Sequence, residues 1–283
     1  MRYLTSVACL AVAGLLAMAA PAWAFQIAVS PLRFEIDLNG RPVAKALQVF
    51  NQGHEPIQVS VSVAHFDLDE NNKVREIAPT AHSLDQWIVV RPLSFTIPPG
   101  ASQTVRFAVR PYVRPKPGEY RAMIFLEQKG SQAVARRINV RFRFGVAVYA
   151  YVGSPERTSK LHGVATGPNG LTLDVESLGN AHVRLEGNVG IWPAASFPGE
   201  AKAKALVVAK QSAKQTKTVL PPGAVFAAPL PNLPILPGTR RKVATALPQP
   251  LKPGAYRAVI VGSLSGKPIS RLLSFDVRDA GKK

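Results

Sequence analysis

Cysteine is the scarcest residue of this chain, and acids are few beside its bases. A single cysteine, Cys9, stands among 283 residues, and it lies inside the first apolar run. Downstream of it no disulfide can form, so the fold has to hold by burial alone. Seventeen acids face 35 lysines and arginines, and aromatics make up only 7% of the chain. Five histidines (His54, His65, His82, His162, His182) are scattered without metal-ligand spacing. No metal and no cofactor are therefore expected. No G-x-S-x-G elbow and no glycine-rich phosphate loop occur, which argues against an enzyme. No stretch after residue 24 runs to eighteen apolar residues, so no membrane span is expected. The excess of cations has no dense basic run with interleaved aromatics, so nucleic acid is not an expected partner.

Two short constellations imitate functional sites. His82, Ser83 and Asp85 are neighbours in sequence, and they read as a polar loop. Asp67, Asp69 and Asn71 begin like a calcium loop. That template needs glycine at the sixth place and glutamate at the twelfth, where this chain has Asn72 and Ala78. The segment DLDENN (67–72) reads instead as a hairpin turn.

The chain does contain a leader, a repeat and a β-pattern. Residues 1–24 combine Arg2, an apolar stretch and the small-x-small site Ala22-Trp23-Ala24, which marks a cleaved signal peptide with a cut after Ala24. A disulfide-free exported chain fits the periplasm. Without the leader's single charge, the formal net charge of +18 becomes +17. Basic charge favours acidic partners.

The repeat lies between IPPGASQTVRF (97–107) with KPGEYRAMIF (116–125), and ILPGTRRKVAT (235–245) with KPGAYRAVIV (252–261). A weaker echo links VFNQGHEPIQVSVSV (49–63) to VESLGNAHVRLEGNV (175–189). Kept order over three segments implies two copies of one β-domain. Within the copies apolar residues alternate with polar ones. Val59, Val61 and Val63 interleave with Gln58, Ser60 and Ser62; Val105, Phe107 and Val109 interleave with Arg106 and Ala108. Turn signals recur between these runs, and 25 prolines and 21 glycines supply them. The expected fold is all-β: two tandem immunoglobulin-like β-sandwiches. The expected domains are 25–151 and 152–277, with GSPERTSK (153–160) as the linker and 278–283 as a tail. The Ala/Lys-rich segment 201–217 is expected as a solvated loop, with a short helix as the other reading.

The strand RRINVRFRFGVAVYAYV (136–152) closes the first domain. Ile138, Val140, Phe142 and Phe144 share one face; Asn139, Arg141, Arg143 and Gly145 share the other. It reads either as an ordinary last strand or as an edge offered to another chain.

At these residues the chain resembles the periplasmic chaperones of the chaperone–usher pilus pathway, nearer their alternate or archaic branches. The resemblance rests on AVSPLRFEI (28–36), VFNQGHEPIQVSV (49–61), LDQWIVVRPLSFTIPPGASQTVRF (84–107), GEYRAMIFLEQ (118–128) and INVRFRFGVAVY (138–149). It is weaker in the second domain, where NAHVRLEG (180–187), LPGTRR (236–241) and PGAYRA (253–258) carry it. The resemblance implies an L or boomerang arrangement of the domains. It also implies donor-strand complementation, in which a strand of the chaperone completes a pilus or fimbrial subunit. The donor strand then includes Val134, Ile138, Val140 and Phe142. The subunit's C-terminal carboxylate is then held by Arg141 and Arg33, with Arg143 as a neighbour of the first. An outer-membrane usher is the second implied partner, and the unloaded chain is implied to be a monomer or a weak self-capping dimer. The alternatives are a structural or adhesive immunoglobulin-like surface module, or a basic periplasmic binder of acidic polymer.

Overall fold

The computed structural model describes residues 27–38, 42–129, 142–212 and 220–278. The signal peptide and the tail from 279 onward lie outside the described residues. So do Val134, Ile138, Val140 and Arg141.

Among the described residues the first domain holds the strands β1 (Ile27–Ser30), β2 (Arg33–Asp37), β3 (Val43–Asn51), β4 (Ile57–Ala64), β5 (Phe66–Leu68), β6 (Val74–Glu76), β7 (Ile88–Arg91), β8 (Ser94–Ile97), β9 (Ser102–Val109), β10 (Gly118–Gln128) and β11 (Arg143–Val152), of which β5 and β6 form a separate hairpin beside the sandwich. One sheet has the order β1-β3-β9-β7 and the other β2-β11-β10-β4-β8. The chain crosses from the first sheet to the second between β1 and β2, at the cis Ser30–Pro31 bond. The alternation seen in sequence aims Val59, Val61, Val105, Phe107 and Val109 into the space between the sheets, where each is buried. Burial of each such side chain contributes roughly 1.5–3 kcal/mol.

The second sandwich comprises β12 (Ser159–Gly167), β13 (Gly170–Ser177), β14 (Val183–Pro193), β15 (Phe226–Pro229), β16 (Pro234–Ile235), β17 (Arg240–Ala246), β18 (Gly254–Leu264) and β19 (Lys267–Val277). Its sheets are β12-β13-β17 and β15-β14-β18-β19, with β16 paired to β14. It has its own core around Leu173, Val189, Val243 and Ile260. The described chain thus forms two immunoglobulin-like sandwiches in tandem.

The sequence echoes fall on corresponding elements. Gly100 and Gly238 open β9 and β17 with φ of 69° and 70°, a left-handed turn that glycine adopts without Cβ strain. Tyr120 at the head of β10 donates its hydroxyl to the Lys116 carbonyl at 3.0 Å. Tyr256 at the head of β18 donates to the Lys252 carbonyl at 2.9 Å. These are two copies of one tyrosine corner.

The segment 201–217 departs from the loop reading over its first part. Residues Glu200–Ser212 form a helix, α1, and 213–219 lie outside the described residues. Its sequence is rich in alanine and lysine, both good helix formers. Ala203 and Val207, four residues apart, are buried against Trp192 and Val259. Asn188 of β14 reaches the helix through Nδ2, which donates to the Val207 carbonyl at 3.2 Å. The sequence did not show that the outer face of β14 and β18 is apolar and needs a cover. DLDENN is the turn of the β5–β6 hairpin, with Asp69 Oδ1 accepting from the backbone of Asn71 and Lys73 at 2.8 Å each.

Candidate functional site

β10 and β11 are buried on both faces, which is why their sequences read as near-continuous apolar runs. Ala122, Ile124, Val146 and Val148 face the first core. Met123, Phe125, Tyr149 and Tyr151 face the second domain, in one cluster with Ala181 and Leu236. The two sandwiches therefore meet on an apolar surface, and polar contacts surround it. The Glu119 backbone N–H donates to the Asn180 carbonyl at 3.0 Å. From β17, Arg241 reaches back and donates to the Leu68 carbonyl at 2.8 Å. The linker is pinned by Glu156, whose N–H donates to Asn180 Oδ1 at 2.8 Å.

Within this interface lies a buried polar line that sequence reasoning missed. Glu119 Oε2 accepts from the His182 backbone N–H at 2.8 Å and contacts His182 Nδ1 at 2.6 Å. The Glu119 side chain has no exposed surface and that of His182 only 2%. Arg184 Nε donates to His182 Nε2 at 3.0 Å. An arginine can only donate, so His182 Nε2 accepts and its Nδ1 carries the proton toward Glu119. The signal in sequence was weak, because Glu119 on β10 and His182, just before β14, sit 63 residues apart.

A cavity of about 300 Å³ opens beside this line. The first domain lines it with Leu32, Arg33, Asn72, Met123 and Tyr149, and the second with Arg184 and Pro234. Tyr149 is 2% exposed, yet its hydroxyl has no hydrogen bond among the described residues. Burial, the largest cause, raises its pKa to about 12, so the O–H stays a donor over the working pH range. Asn72 Oδ1 is buried without a hydrogen-bond partner among the described residues. The Arg184 pKa is lowered, first by desolvation and also by the Arg33 charge. Arg33 pairs with Glu35 across 3.5 Å, and both are well exposed.

The arginines read from sequence separate clearly. Arg33 lines the cavity. Arg143 does not: it pairs with both Glu76 and Glu127 and lies 3.6 Å over the Phe125 ring. Phe142 is half-buried and packs against its own domain's core, 5.3 Å from the Phe144 ring.

β11 also differs from an edge strand along part of its length. From Ala147 to Tyr151 it is covered by β2, paired in parallel from Arg33 to Asp37. On that side Arg143–Val146 have no strand partner among the described residues. Among the described residues, that open side stops where Arg33 begins β2.

No protein-family model matches the chain, and no curated protein does. Solved structures do align along it. Chaperones of fimbrial and pilus assembly are prominent among them. A crystal structure of the YadV chaperone aligns over 89% of this chain and 100% of its own, at 11% identity and a TM-score of 0.47. A chain from the Salmonella enterica complex of SafA pilin with the SafB chaperone aligns over 90% and 98%, at 12% identity and 0.45. A chain from the Acinetobacter baumannii CsuC–CsuE pre-assembly complex of chaperone and tip adhesion subunit, from archaic chaperone–usher Csu pili, aligns over 78% and 91%, at 14% identity and 0.42.

Proposed function

We propose that this chain is a periplasmic chaperone that binds a pilus or fimbrial subunit by strand addition at β11. One observation carries this reading: a backbone edge at Arg143–Val146, without a strand partner among the described residues, runs into an arginine-lined cavity where β2 begins. A partner strand on that edge supplies the missing ladder of hydrogen bonds. β2 fills the same side of β11 from Arg33 onward, so the added strand ends there. If its end at Arg33 is a C-terminus, the strand runs parallel to β11. Arg33 then meets the terminal carboxylate with a charge-assisted bond, which fixes register. The chaperone delivers the subunit for assembly at an outer-membrane usher.

The test is a refolding assay. A denatured candidate subunit, diluted with the chaperone, should stay clear in light scattering and co-elute with it on gel filtration. The complex should survive 0.5 M salt, because ladder hydrogen bonds and apolar contacts are weakly screened. A basic binder of acidic polymer should release its partner steeply as salt rises. Release at that salt, or scattering equal to that of the subunit alone, rejects the proposal.

A further inference from the structure

The cavity holds two arginines from two domains, and among the described residues only Arg33 pairs directly with a carboxylate. We propose that Arg184 of the second domain is the other half of the carboxylate anchor, so that a subunit's C-terminus is gripped across the domain junction. This rests on the chaperone reading and names a residue for it on the far side of the cleft.

Three observations converge on Arg184. First, its donors are partly committed in a way that fixes its position. Nε is held by His182 at 3.0 Å, and Nη1 by the Asn232 carbonyl at 3.1 Å. Nη2 has no hydrogen bond among the described residues, so a planar fork is held in place with one arm left to meet a ligand. Second, the cavity is short of negative charge. Arg33 and Arg184 both line it, and Glu35 is shared between Arg33, Arg157 and the Tyr151 hydroxyl. Two cations drawn together in a half-desolvated wall are stabilised when an anion enters. Third, Tyr149 lines the same cavity, and its hydroxyl makes no hydrogen bond among the described residues. A carboxylate offers four lone-pair sites, enough for Arg33, Arg184 and Tyr149 together. The remaining wall is apolar, with Leu32, Phe66 and Met123, and it suits an apolar C-terminal side chain. The support behind Arg184 comes from Glu119 of the first domain through His182. Grip on the carboxylate is thereby tied to the domain junction.

The probe is N-acetyl-Val-Thr-Val with a free carboxylate, beside its C-terminal amide. Each is titrated into the full chain while the arginine Nε–Hε signals are followed by NMR. Arg33→Lys and Arg184→Lys variants assign those signals, and thermal melts confirm that they fold. The acid should move both signals and bind roughly tenfold more tightly than the amide, as loss of a charged hydrogen bond implies. Arg184→Ala and Arg33→Ala should each lose that preference. Inorganic phosphate at equal concentration should compete weakly. If the acid moves Arg33 alone and Arg184→Ala keeps the preference, the inference fails while the chaperone reading stands. If acid and amide bind alike, the carboxylate anchor fails with it. If phosphate displaces the acid fully, the cavity is a simple anion site and the inference is overturned.

Discussion

Removal of the Glu119 side chain should uncouple the two sandwiches. In Glu119→Ala two buried donors, the His182 backbone N–H and Nδ1–H, lose their shared acceptor. Each stranded donor costs roughly 1–3 kcal/mol. Relief from burying a carboxylate offsets part of this, which leaves a net cost of about 2–4 kcal/mol. Glu119→Gln is a sharper probe. Its amide oxygen can accept both bonds in place of Oε2, and Oε1, which has no partner among the described residues, becomes the NH2 group. With a neutral His182 the glutamine variant should lose less than about 1 kcal/mol, because both hydrogen bonds survive. Urea unfolding followed by fluorescence suits the test. Trp87 lies buried in the first core and Trp192 under α1 in the second domain, so Trp→Phe backgrounds report each domain separately. The parent should unfold with coincident transitions, and Glu119→Ala should separate them. If glutamine costs as much as alanine, the pair is ionic and the tautomer assigned to His182 is wrong. If alanine shifts neither transition, the interface does not couple the domains.

Three further outcomes are expected. Tyr149, with its pKa raised to about 12 by burial, keeps its proton when folded and loses it near pH 10 when unfolded. Its contribution is thus full below pH 10 and is lost as pH rises from about 10 to 12, up to roughly 2–3 kcal/mol; Tyr149→Phe should lose less stability than the parent over that window in alkaline melts. Arg143→Ala should cost about 1 kcal/mol through its half-exposed pairs with Glu76 and Glu127, and it should leave peptide-carboxylate binding unchanged in the titration above. In Gly190→Ala the new Cβ would lie 2.6 Å from the Trp192 ring and 3.0 Å from Val207. Overpacking of about 1–3 kcal/mol should lower the shared midpoint in the parent; in the Glu119→Ala background it should lower the midpoint reported by Trp192 and spare that of Trp87.

Period-two alternation made the sandwiches legible, because inward and outward positions differ in polarity on strands such as β4 and β9. It failed where a strand is buried on both faces. Met123 and Phe125 look in sequence like the outer face of β10, and only the docking of a second domain explains them. The α1 helix ranked below a loop for a related reason: its two buried contacts, Ala203 and Val207, are small, and the surface they cover belongs to β14 and β18. Arg33 came into view only through the family resemblance. Arg184 and His182 could not, since their meaning depends on Glu119 and Tyr149, which reach them only through the tertiary fold.

The most direct measurement is a pull-down from periplasmic extract with the tagged parent and with Arg33→Ala, the retained proteins being identified by mass spectrometry. The account predicts that the parent holds a small exported β-rich subunit and that Arg33→Ala, folded to the same melting point, loses it. Equal retention by both, or retention of no such subunit, would contradict it.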